Sequence, residues 1–207
     1  MVTAGRRELH KRATRQALQE AATRMFEERG YAETTVRDIA DAVGVTERTF
    51  FRYFPSKEDL ILGEILELFP EFARLVRGRP AEEGPYLAVR NALFHLAAVR
   101  GTGVALLFSG LPGQVFSHPA RTAQPVLLEL EDGLTAALHD RLGDSGGGQD
   151  ERALSLRASV LARACVAALR ATVLAFHALP EEERTLESAR GLARQAFDIL
   201  NDAPRER

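Results

Sequence analysis

The chain has 207 residues, of which 45% are hydrophobic and 27% charged, a composition typical of globular rather than disordered proteins. Its single cysteine, Cys165, excludes an intrachain disulfide. We expect a cytoplasmic chain without a membrane span, since no run of about 18 uncharged apolar residues and no leader-like apolar stretch occurs. At face value, the net charge of −2 argues against a nucleic-acid-binding protein, which usually carries a basic excess.

That charge is unevenly distributed along the chain. Residues 1–60 hold 11 Lys and Arg against 10 Asp and Glu, whereas residues 61–207 hold 16 against 19. Residues 1–15 contain five basic side chains and one acidic side chain, Glu8, which gives a local net charge of +4. This end of the chain is suited to a polyanion, although a solvated basic tail would carry the same charges.

The first predicted helix has apolar residues at intervals of three and four, followed by Gly30 at a position where helices commonly end. Its apolar face consists of Leu18, Ala21, Ala22, Met25 and Phe26. A second predicted helix begins after Thr35, which can form a capping box with Asp38, and ends at Gly44.

Thr46 and Ser56 are the predicted N-caps of a third and a fourth helix. The fourth covers residues 57–77 and is interrupted or ended around Pro70 and Gly78. Further helices are predicted near 85–100, 119–142, 151–178 and 185–201, with a kink at Pro125, loops at 101–103 and 109–113, a short apolar stretch at 104–108 and a flexible linker at 143–148. No segment alternates with a period of two, so we predict an all-α fold with domains at 1–60 and 61–207.

The segment from Thr35 to Lys57 carries the most informative pattern. Two short predicted helices are joined by a tight turn at Gly44, and the small Ala40 lies four residues before it. This is the layout of a helix-turn-helix, whose second helix lies in the major groove of DNA. Phe50 and Phe54, four residues apart on the inner face, are assigned to the core. A generic helical hairpin shows the same pattern, so spacing alone leaves both interpretations open.

These residues resemble the DNA-binding domain of TetR-family transcriptional regulators. The resemblance runs from about residue 14 to residue 62 and includes the segments 34–40 and 44–60, with the aromatic cluster at 50–54 and the tail Pro55-Ser56-Lys57-Glu58. It implies double-stranded DNA as the partner of the N-terminal domain and a small-molecule effector for the helical remainder. Residues 79–83 and those that follow resemble, more loosely, the ligand domain of a subgroup that senses acyl-CoA-like molecules.

Nine residues are candidates for contacts with DNA. Thr35 and Lys57 lie at predicted helix N-termini, where backbone N–H groups favour a phosphate, and Tyr53 offers a phenolic O–H. The resemblance implies that these three contact the DNA backbone. The first turn of the second helix meets base edges, where Arg48 can pair with guanine and Glu47 can accept a hydrogen bond from cytosine N4.

The same first turn contains Thr46 and Thr49, which are further candidates for base contacts. The resemblance adds Arg37 as a base or phosphate contact. Phe51 departs from the family, which very often has tyrosine there; phenylalanine lacks the hydroxyl for a phosphate but can contact a thymine methyl. The basic segment 6–15 either reaches the DNA or forms a solvated tail.

The predicted helix at 151–178 carries two apolar stripes, which indicates that it packs between partners. One stripe is Leu154, Ala158, Leu161, Cys165, Ala168, Leu169, Thr172 and Phe176, and the second, smaller one is Val160, Ala164, Ala167, Ala171, Leu174 and Ala178. The last predicted helix adds Leu186, Ala189, Ala193, Ala196, Phe197 and Leu200. We expect these two helices to form a homodimer as a four-helix bundle, which the resemblance also implies.

The predicted middle helices combine apolar side chains with a few polar ones, the outline of a small-molecule site. The candidate lining residues are Phe94, Phe108, Phe116, His118, Cys165 and Leu169. An ordinary core or rim position is the simpler interpretation of any one of them. The five histidines lack metal-ligand spacing, and no cofactor, metal site or catalytic residue is predicted.

Together these patterns predict a ligand-responsive transcriptional repressor that binds a palindromic operator as a dimer and is released by a small apolar or amphipathic effector. The alternatives are an all-α enzyme and a dimeric helical scaffold that binds no DNA. The sequence contains no His-Glu-x-x-His pair, no Cys-x-x-Cys and no phosphate-binding glycine loop, which argues against an enzyme. The net charge of −2 sums a basic leading segment and an acidic remainder, so it does not exclude DNA binding.

Overall fold

In a computed structural model of the chain, the described residues are 3–31, 33–101, 104, 123–145 and 150–202. They form eight α-helices and one short 3-10 helix, without a strand, so the predicted all-α fold is confirmed. The helices are α1 (Thr3–Arg29), α2 (Val36–Val43), α3 (Glu47–Tyr53), α4 (Lys57–Arg77), α5 (Pro85–Val99), α6 (Ala123–Ser145), α7 (Glu151–Ala178), the 3-10 helix Glu181–Glu183 and α8 (Leu186–Asn201). The chain divides into two compact units, Met1–Glu64 and Ile65–Arg207.

In the first unit, side-chain caps set the helix boundaries. Thr35 and Asp38 form the predicted capping box: the Asp38 N–H donates to the Thr35 hydroxyl oxygen at 3.1 Å, and the Thr35 N–H donates to the Asp38 carboxylate at 3.0 Å. Gly44 ends α2 in the left-handed region, with φ of 72°, where a residue without Cβ is least strained. The Thr46 and Ser56 hydroxyls accept hydrogen bonds from backbone N–H groups three residues on.

The core of the first unit is formed by the apolar faces that the sequence predicts. Its buried members are Leu18, Ala21, Ala22, Phe26, Ile39, Ala40, Phe50, Phe54, Leu60 and Ile61. The Phe50 and Phe54 rings lie 5.7 Å apart between centroids, and both are fully buried. This packing fixes which face of α3 points away from the core.

Two predicted boundaries differ in the structure. Helix α1 begins at Thr3, so residues 6–15 belong to a helix and are not a disordered tail; whether they reach DNA stays open. Helix α4 passes Pro70 without a break and ends at Arg77, one residue before Gly78. The missing Pro70 N–H removes only one hydrogen bond from a helix of 21 residues, whose buried face holds it in place.

In the second unit, α6 extends beyond residue 142, its predicted end, into the predicted linker. The helix runs to Ser145, so Gly143–Ser145 is helical rather than flexible, and the other predicted linker residues lie outside those described. Gly143 lies against Leu154 of α7, and His139 Nε2 lies 3.0 Å from a Glu151 carboxylate oxygen. These contacts extend the helix despite the low helix propensity of glycine.

The centre of the second unit is α7, which has one buried and one exposed apolar face. The predicted larger stripe lies in a core shared with α5, α6 and α8, where Leu154, Ala158, Cys165, Ala168, Thr172 and Phe176 are all buried. The predicted smaller stripe is largely exposed, with Val160 57% and Leu174 38% exposed. By length and composition α7 also meets the minimum for a membrane span, a test that the core helix of a soluble protein passes as well.

Candidate nucleic-acid interface and effector region

Helix α3 presents one continuous exposed face. Glu47, Arg48, Phe51 and Arg52 are exposed, while Phe50 on the opposite side is fully buried. Phe51 keeps half of its surface exposed and touches the Phe50 ring only edge-on, at 5.4 Å between centroids. An exposed face that combines guanidinium groups with an aromatic ring offers both hydrogen-bond donors and apolar surface to a ligand.

The two threonines of the first turn are partly engaged with each other. Thr46 caps α3 by accepting from the Thr49 N–H, and their hydroxyl oxygens lie 3.1 Å apart. Thr46 is exposed and Thr49 half-buried. Glu47 and Arg48 are therefore the side chains of this turn that extend most freely into solvent.

The candidate backbone contacts on α2 have polar partners within the unit. The Thr35 hydroxyl donates to an Asp38 carboxylate oxygen at 2.7 Å, so a phosphate would have to replace that bond. Hydrogen bonds from the Thr35 side chain and N–H hold the pKa of Asp38 below its usual value. Arg37 is exposed, and its guanidinium lies 3.8 Å from the Asp41 carboxylate.

Two basic residues, Arg15 of the basic segment and the predicted DNA contact Lys57, have hydrogen-bond partners within the protein. The Arg15 guanidinium donates to the Tyr53 carbonyl oxygen at 3.4 Å and lies 4.6 Å from the centroid of the Phe54 ring. The Lys57 ammonium donates to two backbone carbonyl oxygens at 2.8 Å each. These partners are distant in sequence, so helical spacing could not reveal them. Tyr53, a further candidate, is half-buried under the Arg52 guanidinium.

In the second unit, the structure describes three of the six candidate lining residues, Phe94, Cys165 and Leu169. Cys165 is fully buried in the core, and burial raises the pKa of its thiol to about 12, so the thiol is neutral and packed. Phe94 and Leu169 are half-buried against the same core, and the Arg194 guanidinium lies 5.9 Å from the Phe94 ring centroid. Phe108, Phe116 and His118 lie outside the described residues.

A cavity of about 180 Å³ lies elsewhere, at the connection between α4 and α5. Its lining is Ala81, Glu82, Glu83, Gly84, Pro85, Leu138, Arg141 and Leu142, none of which was predicted. Its volume is below the range of about 300–1,000 Å³ that small-molecule sites usually have. We therefore do not assign it as the effector site.

The connection itself is held by Arg141 of α6. Its guanidinium donates to the carbonyl oxygens of Val76, Arg79, Pro80 and Glu83, at 2.9 Å for Pro80 and 3.0 Å for Glu83. Arg79 also forms an ion pair with Glu83, and the hydrogen bond from Arg79 lowers the pKa of the Glu83 carboxyl. The segment that resembles the acyl-CoA-sensing subgroup is thus an ordered, hydrogen-bonded turn.

Within the described ranges, no group of three or more His, Cys, Asp or Glu side chains is arranged to hold a metal ion. The Nε2 atom of His177 is buried and has no hydrogen-bond partner among the described residues. Burial and the nearby Arg184 lower the pKa of this imidazole, which therefore favours its neutral form.

The family whose model matches this chain does so within the first unit. Residues 18–63 match the model of the tetR family of bacterial regulatory proteins. The regulator TcmR of Streptomyces glaucescens is 42% identical over 88 residues, and the repressor KstR2 of Mycobacterium tuberculosis is 45% identical over 87 residues. These matches cover 42% and 38% of this chain, and they span only 39% and 43% of the relatives' own length.

Solved structures extend the similarity in fold to nearly the whole chain. The repressor FadR of Thermus thermophilus, solved with lauroyl-CoA, has a TM-score of 0.63 at 22% identity and covers 93% of this chain and 96% of its own. The regulator RolR, solved with resorcinol, has a TM-score of 0.53 at 19% identity and covers 96% and 98%. The family match over residues 18–63 and the capped helix-turn-helix identify the first unit as a DNA-binding domain of the TetR family of bacterial regulatory proteins.

Proposed function

We propose that the protein is a cytoplasmic, ligand-responsive transcriptional repressor that binds a palindromic operator as a homodimer and is released by a small apolar or amphipathic effector. The observation that carries this proposal is the exposed face of α3 on a capped helix-turn-helix. Its partner is double-stranded DNA, and its action requires no enzymatic step.

The exposed side chains of α3 have the chemistry of base recognition. Arg48 can donate two hydrogen bonds to guanine, Glu47 can accept from cytosine, and Phe51 can contact a thymine methyl. Around them, Thr35, Arg37 and Tyr53 are candidates for the phosphate contacts that set the position of the helix without reading sequence. Thr46 and Thr49 complete the base-facing turn.

The exposed stripe of α7 supports the dimer. Leu156 is 67% exposed and Val160 57%, and the small residues Ala167 and Ala171 continue the stripe towards Leu174. A continuous apolar face on a core helix is costly in water and suits a twofold interface, in which the same surface of each protomer meets its copy. On α8 the predicted face is wrong in part, because Ala189, Ala193 and Phe197 are buried within the chain, while Ile199 is exposed.

A dimer is also what an operator with two half-sites requires. Two recognition helices read successive major grooves when they are about 34–36 Å apart. An effector that binds more tightly to a form with a different spacing shifts the population away from the DNA-binding form. The acyl-CoA in the FadR structure and the resorcinol in the RolR structure support an apolar or amphipathic effector for this chain.

The direct test is selection of duplexes from a random library with the full-length chain, followed by a mobility shift at several salt concentrations. We expect a palindromic consensus bound by a dimer, with an affinity that falls steeply as salt increases. A dimer that enriches no sequence would contradict the proposed function and favour a helical scaffold. Selected operators also allow candidate effectors, such as acyl-CoAs and small phenols, to be screened by release of DNA.

A further inference from the structure

We propose that the N-terminal part of α1 binds DNA through Lys11 and Arg12, at phosphates next to those that the end of α3 contacts. This inference rests on the proposed function, because it adds a second binding surface for the same partner. It extends the set of predicted backbone contacts, which is Thr35, Tyr53 and Lys57. The segment precedes residues 18–63, which match the family model, so that match carries no information about its role.

The contacts of Arg15 place this part of α1 beside α3. The Arg15 guanidinium donates to the Tyr53 carbonyl oxygen at 3.4 Å and lies 4.6 Å from the centroid of the Phe54 ring. Tyr53 is the last residue of α3 and a candidate phosphate contact. Lys11 and Arg12 precede Arg15 by four and three residues, so they lie on the same face of α1, about one turn of 5.4 Å further along. The two charges therefore continue the predicted phosphate-binding surface from the end of α3 along α1.

The segment around Lys11 and Arg12 is open to a partner. Every residue from 8 to 13 is exposed, and the first buried residue described on α1 is Leu18. The Arg12 guanidinium lies 3.9 Å from a Glu8 carboxylate oxygen, and both side chains are exposed. An exposed pair of this kind contributes little to stability, so a phosphate can take the place of Glu8.

The charges of this segment oppose the stability of the helix that carries them. The first turn of α1 holds no acidic residue, and basic groups near a helix N-terminus oppose the helix dipole. Like charges four residues apart, as at Lys11 and Arg15, also repel each other. A stretch of about ten helical residues without packing is itself marginal in water. Because a polyanion offsets all three effects, the charge pattern suits DNA better than it suits solvent.

Contacts of this kind contribute affinity and leave specificity to α3. A phosphate contact positions the protein without reading the bases. Each contact also releases counterions from the DNA, so its signature is the dependence of affinity on salt. The salt dependence of operator binding therefore reports directly on Lys11 and Arg12.

The experiment measures affinity for a selected operator at several salt concentrations, with the full-length chain and with a variant that combines Lys11→Gln and Arg12→Gln. We expect the slope of log K against log salt to decrease by about 0.9 per lost contact, hence about 3.6 per dimer. Affinity at about 0.1 M salt should fall more than tenfold for the same reason. The selected consensus should stay the same, because the lost contacts do not read sequence.

Arg24→Gln is the matched control, because Arg24 is also an exposed basic residue of α1. It lies 13 residues beyond Lys11, about 20 Å along the helix axis. Each single variant, Lys11→Gln or Arg12→Gln, removes the same charge as the control and should decrease the slope by about 1.8 per dimer. The control should leave the slope unchanged, and equal slopes for all three variants would overturn the proposal.

Hydroxyl-radical footprinting of the operator at saturating protein gives a second readout that is independent of affinity. The wild type should protect backbone positions that the double variant leaves open, while the remaining protection is retained. Identical footprints would assign no DNA contact to this segment. If the wild type selects no operator, the proposed function fails, and the salt slopes on an arbitrary duplex still decide whether α1 binds phosphates.

Discussion

The two units of the chain expose opposite kinds of surface. In the first unit, α3 exposes guanidinium, carboxylate and aromatic groups on the side opposite a small apolar core. Hydrogen-bonded caps fix the ends of α2 and α3. In the second unit, α7 exposes a stripe of aliphatic and small residues above a large apolar core. Exposed charge suits a hydrated, charged partner, and exposed aliphatic surface suits a second copy of the same surface. The difference agrees with the two partners proposed above, DNA for the first unit and a second copy of the chain for the second.

The largest expected effect comes from placing a charge on the exposed stripe of α7. Val160→Glu puts two carboxylates into a twofold interface, where like charges cost several kcal/mol, so we expect dimerisation to weaken by about a hundredfold or more. Operator binding should fall with it. Folding should change by less than about 0.5 kcal/mol because the side chain is exposed.

Analytical ultracentrifugation over a range of concentrations measures this effect. Leu9→Glu is a matched control, since Leu9 is also an exposed apolar residue but lies on α1. A Val160→Glu chain that stays dimeric at low micromolar concentration would show that the stripe is not the interface.

A smaller effect is expected from Arg48→Ala on α3. Loss of a bidentate contact with guanine costs about 1–3 kcal/mol, so operator affinity should fall about tenfold or more and the preference at one base pair should relax. The free energy of unfolding should be unchanged because Arg48 is exposed. Repeating the selection with this variant measures the preference, and Arg24→Ala on α1 is the control. An unaltered consensus would mean that another side chain reads the DNA.

The capping box of α2 gives a prediction about stability. Thr35→Ala should lower the free energy of unfolding by about 1 kcal/mol, the usual contribution of an N-cap threonine. The native pKa of Asp38 lies below its usual 3.8, so its contribution is complete above that pH and disappears as the pH falls through the lower native value.

Urea denaturation of the wild type and of Thr35→Ala measures both effects. The difference between the two chains should be largest near neutral pH and smaller in acid, where only the bond from the Asp38 N–H to the Thr35 hydroxyl remains. A difference that stays constant down to the lowest accessible pH would mean that the carboxylate is not part of the cap.

The smallest expected effect is the loss of the thymine methyl group that Phe51 is proposed to contact. Replacing thymine by deoxyuracil at one position of a single half-site should weaken wild-type binding by about fourfold, since a buried methyl contributes about 0.8 kcal/mol. Phe51→Ala should bind both duplexes equally. Competition mobility shifts measure this, and a Phe51→Ala chain that still prefers thymine would assign the methyl contact to another residue.

Prediction from sequence succeeded where the determining interactions are local. The capping box at Thr35, the turn at Gly44 and the N-caps at Thr46 and Ser56 each involve residues at most four positions apart. The bounds of α7, Glu151–Ala178, also agree with the prediction, because its apolar spacing continues over seven turns. The apolar spacing does not show which of the two stripes is buried.

The sequence patterns did not reveal contacts between a side chain and a distant part of the chain. Arg15 contacts the end of α3, Lys57 contacts the loop before α2, and Arg141 contacts the turn after α4. Basic residues suggest a solvent or DNA partner when they are read one at a time. In the folded unit their nearest acceptors are backbone carbonyls, which no pattern of residue types displays.

The amino-acid sequence by itself determined the helical class, most of the helix boundaries and the family signature, because caps, turns and apolar periodicity act over a few residues. Tertiary structure alone decided which charges remain available to DNA, which apolar face stays exposed and which candidate lining residues are core. Those outcomes depend on burial and on partners brought together from 20 or more residues away, as Lys57 is with Tyr31 and Thr34.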